Sequence, residues 1–379
     1  MRAQNGSNSF KELKHLLGVD HANQVPKVIE VFVKAIDGNN NGFIFKAMGA
    51  AMGDDSRHYG GLIFAYDETN VRLWAPTKND DLDRGSIINI FDGWGGEVNT
   101  QQSNVAEVRI VANGNCSISW DFESEWFNMS SQADNKSFKE IAHGIGEVPS
   151  EVRVLTRALD GSNKGFIFEA VGMAQSDDDI GNSYGGLIYG YDKYHVRLWA
   201  PSTNSQEITS ESNGAIINVR DGWGGEIHAQ SSNHAQVMVT ARANVPCGSD
   251  GSADFDSGWF SLSSQAGTAS YVELFHRLEA IPDYVRVLMR ANDGVNAGFV
   301  FEGMGNAQTD DLSGAYGGVV FGYDRTRVRI WAPDRNDDKY TNGHIISIVD
   351  GWGGEVSVQQ SQTASIKVLA WQNCNLCRS

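Results

Sequence analysis

The chain has 379 residues, of which 41% are hydrophobic and 20% charged, with 42 glycines, 7 prolines and a net charge of −17. This is a globular composition, long enough for two or three domains that each bury a core. It lacks the basic balance that nucleic acid or an anionic membrane demands, no run approaches the roughly 20 apolar residues of a membrane span, and no signal peptide is visible.

In chain order, the first element is a Phe-x-Glu-x-x-His stretch, Phe10, Glu12 and His15, followed by Pro26. An apolar alternation, Ile29-x-Val31 with Ala35 further on, then reads as a strand. Gly42 to Phe45, Gly61 to Phe64, Val71 to Trp74, Ile87 to Ile90 and Ala106 to Val111 read the same way. Asp37-Gly38 suits a tight turn with positive φ. Helical periodicity is absent, and the Phe-x-Glu segment is at most one short turn.

The same order then recurs twice. Asp-Gly-Trp-Gly-Gly-Glu starts at Asp92, Asp221 and Asp350, with spacings 221 − 92 = 129 and 350 − 221 = 129. A period this long is a small domain and not a solenoid unit. The second and third copies open with Asp-Phe-x-Ser-x-Trp-Phe (Asp121 to Phe127, Asp254 to Phe260), then Ser-Ser-Gln-Ala. The expectation is an all-β protein of three tandem antiparallel β-sandwich modules, residues 1–116, 119–247 and 252–379, with about six to eight strands each. Met1 aligns with Met129, so the first module lacks its opening strand. That predicts an unpaired edge, which either a neighbouring chain completes by strand addition or a fragmentary sequence explains.

Cys116, Cys247 and Cys374 fall at matching points after each module's last strand, and Cys377 follows in the tail. One cysteine per module leaves bridges between modules or chains, a small Cys374–Cys377 loop, or free thiols. Asn-x-Ser sequons stand at Asn5, Asn115, Asn128 and Asn135, a mild pointer to a secreted glycoprotein.

The openings of the second and third modules resemble an H-type lectin domain. The shared features are the Trp-Phe starts Glu125-Trp126-Phe127 and Gly258-Trp259-Phe260, a Ser-rich stretch, an aromatic before a proline, and a Val-x-Val strand. The closing strand Ala364 to Val368 is similar to that family's last strand. The likeness covers about half of each module. Tyr59-Gly60-Gly61, Trp74-Ala75-Pro76 and the Asp-Gly-Trp-Gly-Gly-Glu segment lie outside it, and the modules are longer than the family's domain. The resemblance implies a six-stranded sandwich that often trimerises and binds galactose-type sugars or N-acetylgalactosamine. None of that family's sugar contacts maps onto matching residues here.

The Gly-rich segment is the leading candidate for ligand contact. An indole face stacks on a pyranose, carboxylates accept bonds from sugar hydroxyls, and glycines admit a ligand to the backbone. The residues are Asp92, Trp94 and Glu97; Asp221, Trp223 and Glu226; and Asp350, Trp352 and Glu355. The alternative is a β-turn whose Trp packs beneath the sandwich.

Acidic pairs at Asp54-Asp55, Asp177-Asp178 and Asp310-Asp311 are calcium candidates or solvated loop. Asp37-x-Asn39-x-Asn41-Gly42 mimics an EF-hand loop but places Met48 where Glu belongs, and is rejected. The Glu-x-x-His pairs, Glu140/His143 and Glu273/His276 with Glu12/His15, read as structural, because spacing of three on a strand points side chains to opposite faces. Arg72, Arg197 and Arg329 share a face with the Trp two residues on, which would allow stacking, or a network with Asp67, Asp192 or Asp324.

No nucleophile motif or phosphate loop recurs. The sequence therefore reads as a non-enzymatic, secreted, multivalent carbohydrate-binding protein whose partners are glycans or glycoproteins, with self-association and calcium as its only candidate cofactor. A structural or adhesive subunit of an extracellular fibre or matrix is the competing reading.

Overall fold

In a computed structural model the chain is all-β. The structure describes all residues except 16, 18–24, 27, 53–56, 80–82, 92, 114–118, 176–183, 203–213, 220–221, 248–251, 309–313, 338–340, 350, 373 and 375–379. The Phe-x-Glu segments are strands (Phe10–Lys14, Phe138–Ala142, Tyr271–Phe275), each entered from a short 3-10 turn.

Within a repeat, two half-sheets face each other. In the first, Ile29, Val31, Val33 and Ala35 of strand Val28–Ala35 point inward against Phe64, Val71 and Leu73 of the hairpin formed by Ile63–Tyr66 and Asn70–Trp74. The period-two pattern thus does what alternation requires of a half-buried sheet.

Each half-sheet, however, continues into a different repeat. The first repeat's hairpin joins the second repeat's sheet where Tyr66 pairs with Ile167. Tyr191 of the second repeat pairs with Val300 of the third, and Tyr323 of the third pairs with Ile44 of the first. The third repeat therefore closes on the first, and the three copies form a ring with three equivalent seams. Every large sheet has strands of two repeats. Two short parallel pairs, Arg57–Gly60 with Asp83–Ser86 and Gly314–Gly317 with Thr341–His344, lie beside these antiparallel sheets.

Among the intermodule, interchain and free-thiol alternatives, the structure contains an intermodule bridge, a disulfide between Cys247 and Cys374 with Cα atoms 4.4 Å apart. It packs with Val28, Val245, Tyr284 and Trp371. Cys116 and Cys377 lie outside the described residues. No helix among the described residues is long and apolar enough to cross a membrane.

The repeats diverge in charge where all three meet. Matched positions on the lead strands carry Glu30, Arg153 and Arg286, and on the adjacent short strands Lys46, Glu169 and Glu302. Arg153 reaches Glu169 and lies 3.5 Å from Glu30, Lys46 is 3.2 Å from Glu30, and Arg286 is paired with Glu302. Glu151 binds Arg242 and accepts from the Tyr284 hydroxyl at 3.3 Å. Four acids (Glu30, Glu151, Glu169, Glu302) thus meet four bases (Lys46, Arg153, Arg242, Arg286), and the buried junction is neutral. Burial opposes ionisation of Glu151, but Arg242, Arg153 and Arg286 outweigh it and hold its carboxyl below the usual value.

Candidate functional site

The Gly-rich segments stand at the seams. Gly95, Gly96 and Glu97 have φ of 63°, 59° and 61°, and Gly224 to Glu226 and Gly353 to Glu355 repeat the pattern. Three consecutive left-handed residues make a tight turn that L side chains resist by about 1–2 kcal/mol each, so glycine at two of them follows.

The turn also requires glycine because the neighbouring repeat approaches its backbone. A Cβ on Gly95, Gly224 or Gly353 would lie 2.4–2.5 Å from the indole of Trp331, Trp74 or Trp199. A Cβ on Gly96 would lie 2.2 Å from the Gly267 carbonyl carbon. The Trp-Ala-Pro indoles donate Nε1–H across the same seams, Trp74 to the Ile227 carbonyl at 2.8 Å, Trp199 to Val356 at 2.9 Å and Trp331 to Val98 at 2.7 Å.

Trp94, Trp223 and Trp352 are 0% exposed. Each packs edge-on at 5.3 Å against a tyrosine of the preceding repeat in the ring, Tyr316, Tyr59 and Tyr184 respectively. Those tyrosines donate to the carbonyls of Gly93, Gly222 and Gly351. Stacking of these indoles on a sugar, expected from their type, is therefore closed to them. The close approach that glycine permits serves another repeat of the same chain.

Glu97, Glu226 and Glu355 are the opposite case. They are exposed, and their carboxylates make no hydrogen bond or ion pair with any described residue. A non-glycine residue at φ near 60° carries a cost that glycine would remove, and such residues concentrate at functional positions. Two residues further on, Asn99, His228 and Ser357 repeat the positive φ at 54°, 55° and 58°, so each seam's rim has its own polar side chain.

Behind each rim lies a fixed polar network. Arg72 binds Glu12 at 2.6 Å, donates across the seam to the Ser162 carbonyl at 2.7 Å and to Asn163 Oδ1 at 2.9 Å, and stacks over Phe166 at 3.9 Å. Arg197 does the same with Glu140, Val295, Asn296 and Phe299, and Arg329 with Glu273, Asn39, Asn40 and Phe43. The stacking partner is thus a phenylalanine of the next repeat and not the arginine's own tryptophan. Asp67, Asp192 and Asp324 instead accept backbone amides of their own turns.

The Glu-x-x-His histidines are structural. Nε2–H of His15, His143 and His276 donates to the carbonyls of Asp67, Asp192 and Asp324 at 3.1 Å, while Nδ1 accepts an amide two residues on. That pair of bonds fixes one neutral tautomer and leaves no lone pair for a metal.

Asp92, Asp221 and Asp350, and the acidic pairs Asp54-Asp55, Asp177-Asp178 and Asp310-Asp311, lie outside the described residues. Among the described residues no group of three or more His, Cys, Asp or Glu side chains could hold a metal ion. Asn5, Asn128 and Asn135 are exposed, and Asn115 lies outside the described residues.

One concave site was missed from sequence. A groove of about 500 Å³ opens at the seam of the third and first repeats, lined by Phe32, Ile44, Arg109, Ile281, Pro282 and Tyr323 among others. No protein-family model matches the chain, and comparison with curated proteins gives no match either.

Proposed function

We propose that the protein is a non-enzymatic, secreted, multivalent binder of carbohydrate whose three sites are the seam rims marked by Glu97, Glu226 and Glu355. The observation that carries this reading is the repeated exposed, unpartnered carboxylate held in a costly backbone conformation. An ionised carboxylate accepts two sugar hydroxyls without rearrangement, and the rigid turn fixes its direction. Each contact alone is weak, and three on one rigid ring gain affinity by avidity. Differences at Asn99, His228 and Ser357 would give the rims unequal preferences. Calcium, if used, would be recruited by the acidic pairs beside the Tyr-Gly-Gly segments.

A glycan array read with and without chelator tests the ligand class and the metal together. The triple variant E97G/E226G/E355G tests the site. Glycine relieves the left-handed strain, so each substitution is expected to leave stability equal or higher by up to about 1 kcal/mol in denaturant titration while glycan binding is lost. Retained binding in a folded triple variant would sink the assignment.

A further inference from the structure

Two of the sequons, at Asn5 and Asn135, belong to the short 3-10 turns that abut the seam rims. A Cβ on Gly225 would collide with the backbone of Gly6 and Ser7, and a Cβ on Gly354 with that of Asp134 and Asn135. These glycines directly precede Glu226 and Glu355. Asn5-Gly6-Ser7 therefore stands against the Glu226 rim, and Asn135-Lys136-Ser137 against the Glu355 rim. Both asparagines are exposed, and neither side-chain amide hydrogen-bonds to a described residue.

The third rim is built from the same parts without a sequon. A Cβ on Gly96 would collide with the backbone of Gly267 and Thr268. The matched triplets read Asn5-Gly6-Ser7, Ala133-Asp134-Asn135 and Ala266-Gly267-Thr268, and Asn is all that the last one lacks. This rim also differs in chemistry. Tyr271 stands beside Gly95 where Phe10 and Phe138 stand beside Gly224 and Gly353, and its hydroxyl accepts from Asn99 Nδ2 at 2.9 Å.

Asn128, also exposed, belongs to a sheet strand opposite Gln236 and not to these turns. Ser137 is buried, its Oγ accepting the Ala133 amide at 3.1 Å. That is no barrier, because oligosaccharide transfer acts on the nascent chain before the turn closes. Once attached, an N-glycan is bulky and stays at the surface. Rooted on a turn in backbone contact with the rim, it occupies the space in front of the adjacent carboxylate.

We propose that N-glycans on Asn5 and Asn135 cover the Glu226 and Glu355 rims and leave the Glu97 rim open, so that glycosylation sets how many rims a ligand can reach. What the cover regulates rests on the reading of the rims as secreted carbohydrate sites; the cover itself does not need a sugar ligand. Avidity requires several contacts to engage together. A ring with both glycans therefore holds a multivalent surface through a single weak contact, and one without them holds it through all three rims. The rim left open is the one with Asn99 and Tyr271, so modification also selects which chemistry acts.

The test is secretion of the full chain from a eukaryotic host, then peptide mass analysis and carbodiimide coupling of its carboxylates to a bulky polyethylene-glycol amine. Glycans are expected on Asn5 and Asn135. In the double variant Asn5→Gln/Asn135→Gln, coupling at Glu226 and Glu355 should rise at least about threefold while Glu97 is unchanged, because a bulky group has been removed from two rims alone. Both asparagines are exposed and unbonded, so this variant keeps the fold. Ala266→Asn completes the third sequon at an exposed position, and in the glycosylated variant Glu97 should slow by a similar factor. A bare Asn5 or Asn135, unchanged coupling at Glu226 and Glu355 in the double variant, or a Glu97 that rises with them would each overturn the proposal. None of these readouts uses a sugar ligand, so failure of the cover and failure of carbohydrate binding are distinguishable results.

Discussion

The seams and the central junction hold the ring together in opposite ways. At each seam the same residues recur, with Gly-Gly-Glu against Trp-Ala-Pro, Arg against Asn and Phe, and Tyr against a glycine carbonyl. At the junction, matched positions carry Glu30, Arg153 and Arg286, and the difference in sign lets Glu30 lie against Arg153 of the second repeat while Arg286 pairs with Glu302 of its own repeat. Identical residues can close a threefold ring, but they cannot say which repeat follows which. Three arginines, or three glutamates, at one buried point would repel. Repeated seams therefore encode closure, and the diverged junction encodes order.

The largest effect should come from breaking that order. Glu30→Lys leaves Arg153 and Lys46 facing a third cation in a buried site, and a loss of about 3 kcal/mol or more is expected in urea titration. A wild-type midpoint would remove the junction's claimed role. Gly96→Ala attacks a seam. Its Cβ would stand 2.2 Å from the Gly267 carbonyl carbon at φ 59°, and it should cost at least about 2 kcal/mol, as should the matching Gly225→Ala and Gly354→Ala. Unequal costs among the three would show that the seams are not equivalent.

The smallest effect sharpens the comparison at a residue beside the junction. The Tyr66 hydroxyl is buried without a partner, and burial pushes its pKa up to about 12. The folded state then keeps its proton longer than the unfolded one, so this contribution is complete below about pH 10 and is lost as pH rises through about 12. Tyr66→Phe should raise stability at neutral pH by about 1 kcal/mol and flatten the alkaline decline. Measured stability from pH 7 to 11 decides it, and an unchanged decline would place its cause at other groups.

Strand positions were legible because alternation reports one buried face directly. The setting of Trp94 was not. Glycines that let a backbone approach a ligand are the same glycines that let it approach another repeat, and only the fold says which. The partner of Arg72 was hidden for a similar reason. Glu12 and Phe166 are distant in sequence, and a face-sharing argument sees only neighbours such as Trp74. The junction did leave a signal. Glu30, Arg153 and Arg286 are charges inside otherwise apolar alternating runs, at one matched position, with opposite signs. The groove left none, since its walls come from two repeats.

Because each large sheet straddles a seam, the molecule has no severable part. Deleting any one copy would leave its two neighbours each with a bare, apolar half-sheet, and such fragments should clump instead of behaving as smaller versions of the whole. Dissection by truncation would mislead, and the three rims can be told apart only by changing single side chains within an unbroken chain.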